Sequence, residues 1–214
     1  KVSKTYMKKK VENSIKINKL YFDDNKTYLR SVDIVITTKC SMNCESCANL
    51  MQYYKGAKNT DVEIINAVDV LSKNVDHISE YRIIGGEPLM NKNWAKITND
   101  ILELDNVGGV YIYTNATICP KDEQLESFKG KNVHFYITDY GETLSKKIDS
   151  VVRALKRYNI PFYRRPAGNW VDCSQVKKHN RSTDRLKQVF KECCAKTLYT
   201  IINGKLYTCP FLAN

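Results

Sequence analysis

The stretch "SVDIVITTKCSMNCESCANL" (residues 31–50) runs an apolar segment straight into three cysteines, Cys40, Cys44 and Cys47, spaced C-x3-C-x2-C. Residues 31–37 read as a buried strand, because a short β-branched run bounded by polar residues suits a strand covered on both faces. Three thiols this close could be half of a disulfide set, most of a zinc site, or something less common. The rest of the chain has to decide between these.

The chain has 214 residues, enough for one domain with its own core, so cysteines are not needed as staples. Eight cysteines in that length fall far below the density of small disulfide scaffolds. The first 19 residues lack the apolar core of a secretion signal, and no apolar run approaches a membrane span. A cytoplasmic location is therefore expected, where thiols stay reduced and clustered cysteines serve metal or redox chemistry. The formal charge is +11, and the first 19 residues alone carry seven lysines against one glutamate. A solvated lysine-rich surface is the plain explanation; attraction to an anionic substrate such as a phosphate or nucleotide is the sharper one. No zinc-finger, helix-turn-helix or aromatic RNA-binding signature supports a nucleic-acid partner.

Outward from the cysteines the pattern alternates. Residues 61–75 have helical spacing with Val62, Ile65, Val68 and Leu71 on one face, and 80–86 form a short strand ended by paired glycines. A helix at 93–104, a strand at 109–114, a helix near 122–129, a strand at 132–138, a helix at 145–159 and a strand at 160–165 follow. Five β–α steps imply a parallel sheet, either doubly wound or curled into a partial barrel. Residues 166–197 lose this rhythm, and 198–210 read as a hairpin turning at Asn203-Gly204. The expected division is a basic segment at 1–30, a core at 31–165 and an extension at 166–214.

Three features sit at the ends of predicted strands: the cysteine cluster, "GGEP" (85–88) and "TNAT" (114–117). In parallel α/β folds chemistry gathers at the carboxyl ends of strands, so the three should meet on one face. With C-x3-C-x2-C after the first strand and GGE-P after the second, the sequence resembles the radical S-adenosylmethionine (SAM) superfamily, most clearly over residues 31–165. The resemblance implies a partial parallel (β/α) barrel with a small C-terminal hairpin extension. It also implies a [4Fe–4S] cluster on Cys40, Cys44 and Cys47. A cubane takes four ligands, one per iron, so three thiolates leave one iron open. In the family SAM binds there, and an electron from the cluster cleaves it to a 5′-deoxyadenosyl radical that removes hydrogen from substrate. Such an electron comes from a donor such as flavodoxin or ferredoxin.

By the same resemblance Gly85, Gly86 and Glu87 receive the SAM amino group. Thr114 and Asn115 lie near the nucleoside, and Thr138 and Asp139, ending the fourth strand, share the rim. Two departures stand out: Ser46 replaces the usual aromatic residue before the third cysteine, and Ala116 replaces a glycine. Adenine packing must then come from elsewhere. Cys119 reads as a plain loop or core cysteine.

The tail holds Cys173, Cys193, Cys194 and Cys209, of which Cys194, Gly204 and Cys209 form C-x9-G-x4-C. This resembles the opening of the SPASM or twitch extensions, which hold auxiliary iron–sulfur clusters. The family's further cysteines are absent, so either the natural protein continues or Cys173 and Cys193 complete the site. The favoured substrate is a small molecule, an anionic carbohydrate, sugar phosphate or nucleotide sugar, with Arg82, Arg164 and Arg165 as a basic rim. A peptide- or protein-modifying enzyme is the nearest alternative. From another class, a non-catalytic zinc or iron–sulfur module contacting nucleic acid stays open.

Overall fold

The computed structural model describes residues 4–54, 60–169 and 178–213. Helix α1 (Lys4–Tyr21) precedes strand β1 (Tyr28–Val35). Then α2 (Asp61–Lys73), β2 (His77–Ile84), α3 (Trp94–Leu102), β3 (Val110–Thr114), α4 (Asp122–Glu126), β4 (Val133–Asp139), α5 (Ile148–Arg157) and β5 (Phe162–Pro166) alternate. Helix α6 (Thr183–Glu192) and the hairpin β6 (Tyr199–Ile202) and β7 (Lys205–Tyr207) close the chain. The strands form one sheet in the order β5-β4-β3-β2-β1-β6-β7, parallel except for the β6–β7 pair.

Helices α2 to α5 all pack on one face of this sheet. Ile64 and Val68 of α2, Trp94, Ile97 and Ile101 of α3, Leu125 of α4 and Val151 and Leu155 of α5 share a single core with Val32, Ile34, Ile83, Ile112 and Phe135. Crossovers confined to one face wind a sheet in one direction, which gives the open partial barrel rather than a doubly wound sheet. Trp94 meets Phe135 edge-on at 6.0 Å, locking α3 to the centre of the sheet.

Local signals set the elements. Thr60 and Glu63 form a reciprocal capping box at the start of α2. Its buried stripe is Ile64 and Val68, with Ile65 and Leu71 half-buried beside it, whereas Val62 is 67% exposed. The expected face is thus corrected by a part-turn, because the capped first turn points its second residue to solvent. Asn203 and Gly204 both adopt positive φ, 51° and 69°, as a two-residue hairpin turn requires. Strand β6 lies parallel to β1, pairing Asp33 with Thr200. Residues 166–197, where the sequence pattern fades, contain α6, whose Ser182 Oγ accepts from the Arg185 amide. The basic N-terminal segment contains α1, fastened by Lys9 to the Lys131 carbonyl at 2.9 Å and by Lys10 to Glu80 at 3.2 Å. Among the described residues no helix is long and apolar enough to cross a membrane.

The side chains that alternate away from the helices form the inner face of the barrel. Tyr111 stacks on His134 at 4.6 Å, Tyr113 on Tyr136 at 4.8 Å, and Tyr163 lies 4.9 Å beyond. Directly opposed in register, Asp33 and Arg82 form an ion pair at 2.7 Å with side chains 10% and 17% exposed. Burial pushes Asp33 up to about 6, although Arg82 pulls the other way. A folded value above that of an unfolded aspartate (~3.9) makes its contribution fullest below that pH, and the contribution is lost as pH rises through about 6. An R82M variant strands a buried carboxylate, so it is expected to lose about 3–5 kcal/mol of stability at pH 8. The loss should be smaller at pH 5, where Asp33 takes up a proton. Urea melts at both pH values check this, and equal losses would contradict the pairing.

Candidate active site

The carboxyl ends of β1, β2 and β3 bring the three sequence motifs together through backbone bonds. The Ile36 amide donates to the Ile84 carbonyl at 3.1 Å, Gly86 to Thr37 at 3.0 Å, and Glu87 to Lys39 at 2.9 Å. The ladder between β1 and β2 therefore continues past both strands and holds the entry to the cysteine loop. The glycines are required by that contact. A Cβ on Gly85, which sits at φ +153°, would run into the Thr37 carbonyl. One on Gly86 would run into the Lys39 carbonyl and lie 2.7 Å from the Cys40 Cβ.

Glu87 joins the second motif to the third. It is fully buried, and its carboxylate accepts from the Thr114 hydroxyl at 2.8 Å, the Asn115 amide at 2.8 Å and the Leu89 amide at 3.2 Å. Burial pushes its ionisation up, and these three hydrogen bonds pull it back. Asn115 returns the link to the cysteines, its Nδ2 donating to Ser41 Oγ at 3.1 Å and lying 4.0 Å from Cys40 Sγ. Ser41 in turn meets Thr117 at 2.6 Å. Cys40 Sγ accepts from the Met42 amide at 3.4 Å. Burial raises the thiols of Cys40 and Cys44, with the neighbouring thiols adding to the effect.

Cys40, Cys44 and Cys47 line one cavity of about 560 Å³, together with Gly85, Gly86, Thr114, Asn115 and Thr138. Asp139 is not among the residues that line the cavity; it accepts from Arg164 at 2.7 and 2.9 Å and from the Gly141 amide at 2.9 Å. Sequence reasoning missed Tyr113, Tyr140 and Met51 on the cavity wall. Strand alternation through 110–114 could have found Tyr113; nothing local marks the other two.

The expected basic rim is reduced. Arg82 is paired with Asp33, and Arg164 with Asp139 and, at 3.5 Å, with Asp149, while Arg165 reaches the cavity. In the tail Cys194 is exposed, Cys193 and Cys209 are half-buried, and Cys173 lies outside the described residues. Among the described residues no three His, Cys, Asp or Glu side chains close on a single-ion position. Thiolates of a cubane each bind a different iron. Cys119 is partly packed against the main core.

The sequence pattern of the Radical SAM superfamily matches residues 34–163, and the chain belongs to that superfamily. Its members carry a [4Fe–4S] cluster and SAM, and the three thiols on one cavity wall fit the cluster's donor set. GTP 3′,8-cyclase of Clostridium acetobutylicum is 28% identical over 145 residues, 62% of this chain and 44% of that protein. The chain thus spans less than half the length of this curated relative. Among solved structures, BtrN in complex with AdoMet and 2-DOIA is similar with a TM-score of 0.52 at 14% identity, over 86% of this chain and 74% of that one. The structure of anSMEcpe with bound AdoMet has a TM-score of 0.50 at 15% identity, over 64% and 43%. These two likenesses are likenesses of fold.

The glycine contacts carry a direct consequence. G86A is expected to cost about 1–3 kcal/mol through overpacking and to hold markedly less iron after anaerobic reconstitution, with unchanged far-UV circular dichroism. Full iron content in G86A would show that the cysteine loop does not depend on this contact.

Proposed function

We propose that this protein is a radical SAM enzyme acting on a small oxygen-rich molecule: a sugar, sugar phosphate or nucleotide sugar that is dehydrogenated, epimerised or rearranged. The observation that carries the reading is the convergence of Cys40, Cys44 and Cys47 with Gly85, Gly86, Thr114 and Asn115 on one cavity at the carboxyl edge of a parallel sheet. When bound, the cluster and SAM supply a 5′-deoxyadenosyl radical able to take hydrogen from substrate. The chain's own residues would do the rest. The three thiolates hold the cluster, and Gly85 and Gly86 offer backbone to the methionine end of SAM. Glu87 acts from beneath by fixing Thr114 and Asn115. Thr138 stands on the cavity wall, and Asp139, next to it, steadies the end of β4 through its hold on Arg164. Arg165 provides a cation for an anionic substrate group. The named relative GTP 3′,8-cyclase acts, by its name, on a nucleotide, which favours a phosphorylated or nucleotide-linked substrate here.

Residues 166–214 form, in this reading, an accessory extension to the 31–165 core, with 1–30 as a basic lead-in. Cys194 and Cys209 hold an auxiliary iron–sulfur cluster with Cys173 or Cys193 nearby, and that cluster positions substrate or accepts an electron from it. The +11 charge suits docking of an acidic one-electron carrier such as flavodoxin or ferredoxin in the cytoplasm.

Anaerobic protein reduced with dithionite should convert SAM to 5′-deoxyadenosine, and the C40A/C44A/C47A variant should not. Persistent 5′-deoxyadenosine from that variant would sink the assignment. A C194A/C209A variant should lose roughly one cluster's iron while retaining SAM cleavage; unchanged iron would leave these two as ordinary cysteines.

A further inference from the structure

A second cavity, of about 500 Å³, opens at the amino-terminal end of the sheet, between α1 and the first residues of β1 and β2. From Tyr28 to Val35 the extended chain of β1 climbs about 20 Å toward the cysteine edge, so this cavity stands apart from the one the thiols line. Its size falls within the range of small-molecule sites. One wall is a face of α1, with Val11 and Ile15 one helical turn apart. The sheet supplies Tyr28 and Ser79, and Tyr21 stands where α1 ends.

Helix α1 is fastened by the polar contacts of Lys9 and Lys10. Its apolar side chains are left facing open space: Val11, Ile15 and Tyr21 line the cavity yet remain 54%, 63% and 64% exposed. The aromatic side is firmly placed. Ser79, buried, donates to the Tyr28 hydroxyl at 2.6 Å, Tyr28 stacks on His77 at 6.0 Å, and Tyr21 meets Tyr28 edge-on at 5.7 Å. Among the described residues, the charged groups lining the cavity are Lys10, Glu80 and Arg30. Lys10 and Glu80 neutralise each other at 3.2 Å. The Arg30 guanidinium has no ion-pair or hydrogen-bond partner among the described residues. The cavity therefore combines apolar walls with one uncompensated positive charge. A hollow of this size encloses a small molecule, whereas a protein partner needs about 800 Å² of matching surface.

We propose that the cavity beneath α1 is a second small-molecule site, which takes an amphiphile with an apolar body and one anionic group. The body lies against Val11, Ile15 and Tyr21, and a phosphate or carboxylate pairs with Arg30. The inference is independent of the radical SAM reading. Octyl phosphate, kept below its micelle concentration and titrated calorimetrically into the anaerobically reconstituted full chain, should bind once per chain. Octanol and inorganic phosphate each carry half of that chemistry and should bind roughly tenfold or more weakly. R30Q should bind octyl phosphate roughly 10- to 150-fold more weakly, the range for loss of a hydrogen bond to a charged group. R30K, which keeps the charge, should fall between R30Q and the wild type. I15D sets a carboxylate on the apolar wall and should weaken binding as well, with unchanged far-UV circular dichroism; V11D repeats that test should I15D not fold. A wild type that binds no octyl phosphate would overturn the proposal. So would wild-type affinity in R30Q, or in I15D and V11D, because the ligand would then sit elsewhere. Inorganic phosphate binding as tightly as octyl phosphate would also overturn it, leaving Arg30 a plain surface cation.

Discussion

Two backbone hydrogen bonds, from Gly86 to Thr37 and from Glu87 to Lys39, fasten the cysteine loop to the end of the neighbouring strand. A loop with three thiols and no regular structure of its own would otherwise pay a large ordering entropy whenever it gathered around a cluster. The parallel ladder absorbs most of that cost during folding, because it extends past Val35 and Ile84 into the loop. Both glycines follow from the closeness of the two backbones. Glu87 extends the fixation one strand further, and Asn115 closes the circuit back to Ser41 and Cys40. Three strand ends thereby become one rigid rim.

The two faces of the sheet divide the remaining work. Toward the helices, isoleucine, valine and five aromatic rings (Tyr81, Trp94, Phe128, Phe135 and Phe162) make the stabilising core. Toward the barrel interior, the same strands carry Asp33, Arg82 and the stacked tyrosines, costly groups to bury without partners. Each meets a partner on the next strand in register, so polarity is held inside the barrel without unpaired charge. Arg82 pairs with Asp33 and Arg164 with Asp139. Of the three arginines expected at the rim, Arg165 is the one that lines the cavity.

Much of this was legible in the sequence, for identifiable reasons. The five parallel strands showed because strands buried on both faces read as apolar runs and their crossover helices keep a 3.6-residue period. The three motifs were legible because each interrupts such a run at its carboxyl end. The Asn203-Gly204 turn was legible from its two residues alone. What escaped depended on distant contacts or on rotation. The face of α2 turned on its Thr60–Glu63 cap, which the apolar spacing alone does not register. Helix α6 hides because Leu186 and Phe190 are its large apolar groups and both remain exposed. Pairing of β6 with β1 joins residues more than 160 positions apart and leaves no local mark. The close approach of Gly85 and Gly86 to Thr37 and Lys39 left no local mark either, because those contacts run between two strand ends far apart in the chain.

The central claim is that the braced thiols of Cys40, Cys44 and Cys47 hold a cubane with one iron open to SAM. Electron paramagnetic resonance of the dithionite-reduced protein, recorded with and without SAM, addresses it most directly. The account predicts a [4Fe–4S]⁺ signal whose g values shift when SAM is added, in the wild type and in C194A/C209A alike. A signal from the Cys40–Cys44–Cys47 cluster that SAM leaves unchanged would contradict it.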